Sequence, residues 1–360
     1  MTITFKESNY MKESLERKKL LAFVTCVFCL PVFVRAQYDS TANVTDIMSR
    51  HRESLMWSQA FSMRVNVYSV PLEGIPNKSS YERNFIFRYD ANTMRADWTG
   101  RFKSGRFTAA AASDADPCRV VAFNKVLEGQ YGIETEHEEG TKPLSAMVYE
   151  NYREQLERLL DNDGYGGPLL GRIYGSGHFN VAELLRQAGD VKVRATQEEI
   201  NGLQCYVLEG TTRFGAITVW VAPARAYAAA KWVIRKSSID LFNDKPNGLD
   251  VWVAEFEVVE FEQFGTAFVP KRASFTLTSQ SPGRPKEIGR RLYEVSEVQL
   301  DPDFSALGAF RVVLPEGTRV FMRSAPGLRY VWRDGKVSLD NRGASFEQID
   351  KAIDGLKEQK

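Results

Sequence analysis

From Asn201 to Ser279 the chain offers almost nothing but strands, and whatever fold it adopts has to house them. Residues 203–209, 216–222, 230–236, 251–262 and 267–279 are rich in Val, Ile, Thr and aromatics, separated by Gly210 and short polar links. Ala230, Trp232 and Ile234 fall on one face of their strand, with Lys231 and Arg235 on the other, which is the pattern of a sheet with one wet side. In 251–262 the apolar parity switches. Trp252, Ala254, Phe256 and Val258 are even and Val259 and Phe261 odd, so a β-bulge is predicted near Val258. Ala273, Phe275 and Leu277 against Ser274, Thr276 and Thr278 restore the alternation, and 291–300 adds another strand.

The first 36 residues are set apart. Arg17, Lys18 and Lys19 precede the apolar run 20–34, and Val34-Arg35-Ala36 closes it, which reads as a secretory signal peptide cut after Ala36. The run is shorter than the roughly 20 apolar residues a membrane span requires, and Pro31 interrupts it, so no transmembrane segment is expected in the mature chain. Its removal takes six of the 47 Lys/Arg and three of the 46 Asp/Glu, leaving the charges nearly balanced. That excludes the basic field by which a protein binds nucleic acid. It also takes two of four cysteines, so Cys118 and Cys205 remain in an exported, oxidising setting. A disulfide between them would close roughly ninety residues and contribute about 4 kcal/mol; the alternative is two small buried hydrophobes.

Between the signal and the strand-rich stretch, Ile47, Met48, His51 and Leu55 have helical spacing, with Asn43 or Thr45 as N-cap. Alternating strands follow around Phe61–Val67, Phe85–Tyr89 and Met94–Trp98, with weaker candidates at 107–112 and 120–126. Tyr149, Tyr152, Leu156, Leu159 and Leu160 predict a helix, and Asn180 with Glu183 forms a capping box opening another that stops at Gly189. The fold class expected is mainly β with α: a strongly curved antiparallel sheet of about eleven strands, an unclosed barrel, covered by helices. Residues 37–300 make this domain, and 301–360 an appendix with short strands at 318–322, 329–332 and 336–339. An Asp334-Gly335 hairpin turn joins the last two, and a helix opens at Ser345.

Reactive chemistry is sparse. There are three histidines. His137 sits in an acidic run, 134–139, read as a solvated turn; His178 follows a Gly-rich loop; His51 suits a core position. Asp161-Asn162-Asp163-Gly164 resembles part of a calcium loop, but the terminal ligand positions would fall on Leu159 and Leu170. No nucleophile elbow, zinc-protease or phosphate-loop motif occurs, so neither an enzyme nor a metal or other cofactor is expected. What remains is apolar surface: Phe85, Phe87, Trp98, Trp220, Trp232, Phe256 and Phe275 are the candidates to line a cavity for acyl chains, or else form the core beneath the helices.

The order of signal, helix and strand series, together with Asn201-Gly-Leu-Gln-Cys205, Thr218-Val-Trp220-Val-Ala-Pro223 and Phe268-Val-Pro270-Lys-Arg-Ala273, resembles the periplasmic lipoprotein-carrier superfamily (LolA/LolB-like) over residues 43–300. Leu300-Asp-Pro-Asp-Phe304 and Pro315-Glu-Gly-Thr-Arg-Val320 resemble the tail of longer exported proteins with this sheet. The resemblance implies an unclosed barrel with a hydrophobic cavity, periplasmic or secreted, whose partners are lipid or lipoprotein acyl chains. The other reading is an envelope sensor or adaptor that uses the same sheet, and the segment after Asp301, to bind a protein partner.

Overall fold

Period-two alternation recurs in both halves of the chain, and it produces two meanders that meet in one sheet. The computed structural model describes residues 43–70, 81–90, 93–103, 118–128, 131–138, 141–149, 166–173, 175–176, 178–243, 245–310, 313–323 and 328–340. The signal-peptide stretch, the helix expected beyond Tyr149, the strand candidate at 107–112 and the helix from Ser345 lie outside them.

The first meander runs β1 (Ala60–Val70), β2 (Tyr81–Asp90), β3 (Thr93–Lys103), β4 (Cys118–Glu128), β5 (Tyr131–Glu138) and β6 (Ser145–Tyr149), each antiparallel to the one before. The second begins with two short pieces, β7 (Lys192–Val193) and β8 (Glu198–Ile200), which both lie along β9 (Leu203–Thr212). It continues through β10 (Gly215–Ala222) and β11 (Ala228–Lys236). A small separate hairpin follows, β12 (Leu241–Phe242) with β13 (Lys245–Pro246). The meander ends with β14 (Val251–Phe264), β15 (Ala267–Gln280) and β16 (Glu287–Leu300). The two halves join where β1 pairs antiparallel with β16, setting Val65 opposite Val295 and Val67 opposite Tyr293.

Eleven of these strands have eight residues or more. Every ladder among them is antiparallel, and among the described residues none joins the two ends, so the sheet is large, antiparallel and open. The predicted bulge is present: the β14–β15 register shifts between Val258 and Phe261, which turns odd-numbered Phe261 inward and leaves Val259 exposed. The segment after Asp301 extends this same sheet. Strand β17 (Arg319–Met322) pairs in parallel with β6 and leads to β18 (Tyr330–Arg333) and β19 (Lys336–Leu339). Asp334 and Gly335 carry the φ values of 52° and 71° that a two-residue hairpin of this hand needs. The acidic run around His137 is a correction to the expected turn: its residues Glu134 to Glu138 lie within β5, whose Ile133 and Thr135 pair with β6, and Glu134 accepts the Tyr149 hydroxyl at 2.6 Å.

Helix α1 (Val44–Ser54) starts where Asn43 Oδ1 accepts the Thr45 N–H, and it presents Ile47 and His51 inward. Helix α2 (Val181–Gln187) carries the expected capping box, with Asn180 and Glu183 each accepting from the other's backbone N–H, and ends at Ala188. The two helices touch one another; α1 also touches β11, and α2 touches β9 and β10. Between β6 and α2 the chain makes a buried turn at Gly167–Leu170, bounded by Gly166 and Gly171 at positive φ. A Cβ at Gly166 would meet Leu169 at 3.3 Å and Phe85 at 3.6 Å, so the turn lies directly over Phe85.

One face of the sheet is the core. Phe61, Met63, Val65, Phe85, Phe87, Met94, Ala96, Tyr293, Phe275, Phe256, Trp232 and Ile234 are all buried. Adjacent rings make tilted or stacked contacts, Phe61 with Phe87 at 5.4 Å and Trp232 with Phe256 at 5.4 Å, each worth about 1 kcal/mol beyond area burial.

Candidate functional site

Five of the seven aromatics singled out in the sequence come together on that face. Phe85 stands opposite Val65 and Phe87 opposite Met63, while Trp232, Phe256 and Phe275 follow one another across β11, β14 and β15. All five are buried. Trp98 lies opposite Phe85 in the β2–β3 ladder, but its side chain is outside the described ones. Trp220 does not join them. Its ladder partner is Lys231, whereas Trp232 pairs with Val219, so the two tryptophans project from opposite faces.

On its own face Trp220 is tied down. Its Nε1–H donates to Glu198 Oε2 at 2.7 Å, Lys231 Nζ lies 5.7 Å from its ring centroid, and it packs with Cys205, Val207, Ala222 and Val233. Arg194 bridges Glu198 and Glu209, and the hydrogen bonds from Trp220 and Arg194 hold the Glu198 carboxyl below its ordinary range. Cys205, offered as half of a bond with Cys118, is a free thiol here: it is fully buried, its Sγ lies 3.3 Å from the Leu203 carbonyl, and burial pushes its pKa up to about 12.

The face that carries Trp232 borders a cleft. Ser54, Leu55 and Trp57 from the end of α1, Pro168, Leu169 and Gly171 from the buried turn, Val181 from α2, and Ala228, Ala229, Trp232, Phe256, Phe261, Phe268 and Pro270 from β11, β14 and β15 line it. The bulge brings Phe261 here, beside its ladder partner Pro270. Space between these side chains amounts to about 20 Å³, enough for one water and far below the several hundred Å³ of a preformed ligand pocket. The cleft is therefore nearly filled by its own side chains. Trp57, Leu55, Leu169, Phe261 and Phe268 were not legible as a group, because six separate segments supply the lining.

What holds the end of α1 beside the cleft is a polar clasp. The β10–β11 connection places Ala226 and Tyr227 at positive φ (49° and 63°), which turns the Tyr227 carbonyl toward α1. His51 Nδ1 lies 3.0 Å from that oxygen and must carry the proton, since a carbonyl only accepts; Ser54 Oγ donates to the same oxygen at 3.2 Å. Arg50 stacks over the Tyr227 ring, which in turn stacks on Tyr206. His51 is fully buried and its Nε2 meets no partner among the described residues. Burial holds its pKa down at about 4.

A buried lysine was unexpected. Lys236 is 4% exposed, and its Nζ donates to the carbonyls of Gly175 (2.5 Å) and Leu241 (2.9 Å). Trp252, Phe242 and Phe214 surround it at 4.9, 5.2 and 5.6 Å from their centroids, an arrangement in which ring faces attract the ammonium. Burial lowers its pKa to about 8. The lysine thereby pins the Gly175 loop and the β12–β13 hairpin to the end of β11. Its parity with Trp232 and Ile234 was the signal in the sequence. Among the described residues no group of three or more His, Cys, Asp or Glu is placed to hold a metal ion, and no helix is long and apolar enough to cross a membrane.

Fold and site together define an open antiparallel β-sheet protein with a helix-bordered apolar cleft. No family model matches the chain, and no curated protein matches it. Among solved structures it is similar to a LolA superfamily protein, NE2245, from Nitrosomonas europaea, at 12% identity and a TM-score of 0.34, over 72% of this chain and 93% of that one. It is also similar to an N-terminal dehydratase from the difficidin assembly line, at 7% identity and a TM-score of 0.13, over 74% and 86%. Neither likeness is close enough to carry a fold or a function over to this chain.

Proposed function

We propose that this is an exported, periplasmic or secreted binding protein, without enzymatic activity, that shelters a lipid or acyl group against the Trp232 face of its sheet, with α1, α2 and the Gly167–Leu170 turn as a movable cover. The observation that carries this is the composition of the cleft: of its fourteen lining residues only Ser54 has a side chain polar throughout, and five are aromatic or leucine side chains contributed by the cover and the rim, Leu55, Trp57, Leu169, Phe261 and Phe268. Because the cleft is nearly filled, loading a chain requires the cover to lift. Two features favour such movement: the turn hangs between two left-handed glycines, and α1 is held by few polar contacts, most of them to the Tyr227 residue.

The reading is tested with the purified mature protein and an environment-sensitive fluorescent acyl probe, alongside native mass spectrometry of protein isolated from its own envelope. Saturable uptake of the probe, or a co-purifying lipid mass, is expected. A protein that takes up no probe and carries no lipid would refute it.

A further inference from the structure

Trp232 is 1% exposed, and no acceptor among the described residues meets its indole N–H. A buried donor left unpaired costs about 1–3 kcal/mol, and tryptophan N–H groups in protein interiors usually find a partner. Trp220, on the opposite face, follows that rule by donating to Glu198. The unpaired indole belongs to the ring that walls the cleft and stacks on Phe256. A pure hydrocarbon would leave the donor as it is, whereas a ligand oxygen would satisfy it.

The kind of oxygen follows from the rest of the wall. No charged side chain is among the described residues lining the cleft; Arg225 stacks over the Phe268 ring, 5.3 Å from its centroid, without joining that lining, so an ionised carboxylate moved inside would lose its hydration with no cation in the wall to replace it. A neutral carbonyl carries no such cost. Building on the acyl-binding reading above, we infer that the cleft selects a neutral acyl ester, whose carbonyl oxygen accepts the Trp232 Nε1–H while its chain lies along Phe256 and Phe261.

The test compares three probes of equal chain length, a methyl ester, the corresponding alkane and the free acid at pH 7, by displacement of the fluorescent acyl probe. It also follows the indole ¹H–¹⁵N resonance of Trp232, assigned from Trp232→Phe. One net hydrogen bond corresponds to roughly five- to tenfold in affinity. The ester is therefore expected to bind about that much more tightly than the alkane and more tightly than the ionised acid, and to move the Trp232 resonance downfield, while the alkane leaves it in place. Trp232→Phe keeps an aromatic ring on Phe256 and should erase the ester-to-alkane difference.

Equal binding of ester and alkane, with an unmoved indole resonance, would overturn this inference and leave the acyl-binding reading standing. Tightest binding by the free acid would also overturn it. If no probe binds, both fall. The ester-to-alkane comparison is made on the unaltered protein, so its outcome does not depend on the variant folding.

Discussion

Acidification should loosen the clasp that holds α1, through one residue. His51 has an ordinary pKa of 6.5 and is held at about 4 in the folded protein by burial. Its Nδ1–H is committed to the Tyr227 carbonyl, and the second nitrogen, Nε2, has no acceptor to receive it once protonated. In the unfolded chain the imidazole takes up a proton as pH falls through 6.5; in the folded chain it resists until about 4. Between these values the unfolded state binds more protons, so stability falls with pH. It is fully present above 6.5, declines between 6.5 and 4, and is level in this term below 4. Each pH unit in that window is worth about 1.4 kcal/mol, which sums to about 3 kcal/mol for His51. The perturbation is His51→Phe, which keeps a ring in the site, removes the titration and loses one hydrogen bond, at a cost of about 1 kcal/mol at neutral pH. Urea unfolding of both proteins across the window should give curves that cross, the variant weaker at pH 7 and stronger at pH 4. With three histidines in the chain, the imidazole resonances can be followed individually. A His51 that titrates near 6.5 in the folded protein, or an acid slope unchanged in the variant, would refute the reasoning.

Lys236 gives the opposite end of the pH scale. Its pKa is lowered from 10.5 to about 8, so the folded state sheds a proton that the unfolded state keeps, and stability should rise between pH 8 and 10.5; in Lys236→Met that rise should be missing from urea unfolding curves. Gly215 has φ of 112°, and a Cβ there would lie 2.3 Å from the Arg235 carbonyl oxygen. Gly215→Ala should cost about 2–4 kcal/mol by thermal or urea unfolding, against about 1 kcal/mol for Gly202→Ala, where a Cβ meets nothing within 4 Å and only the left-handed backbone is strained. Cys205, buried with its pKa pushed to about 12, should resist thiol reagents in the native protein and react once the chain is unfolded in urea; native-state labelling at the unfolded rate would contradict its placement.

Strand positions were legible because the alternation is local. The β14 bulge could be foreseen from the parity break at Val258 and Val259, and α2 from its capping pair. Sidedness between strands was not legible. In β10 Ile217 and Val219 to Ala222 put apolar side chains on both faces, so nothing local reveals that Val219, and not Trp220, sits beside Trp232. Lys236 shares parity with Trp232 and Ile234 but went unread, because a lysine there runs against the usual cost of a buried charge, and the cage that makes it tolerable comes from Phe214, Phe242 and Trp252 in three other segments. The cleft is harder still, since its wall is assembled from six stretches of chain. The C-terminal strands were visible individually, but their parallel docking on β6 depends on a register that no single segment encodes.

The ladder between β1 and β16 bears on how the molecule is made. Every long strand except at this seam lies beside its neighbour in the chain, so each meander can zip up hairpin by hairpin. The seam instead joins the first strand to the sixteenth, Phe61 to Leu300, and closes a loop of roughly two hundred and forty residues at an entropic cost that no local contact offsets beforehand. Until it closes, two half-sheets coexist, each with a bare edge bearing Val65 and Val67 or Tyr293 and Val295. Those edges are complementary to each other and equally so to the corresponding edges of another unfinished copy. Assembly of this protein is thus a race between the joining of its own halves and exchange with a neighbour, and it is decided at β1 and β16.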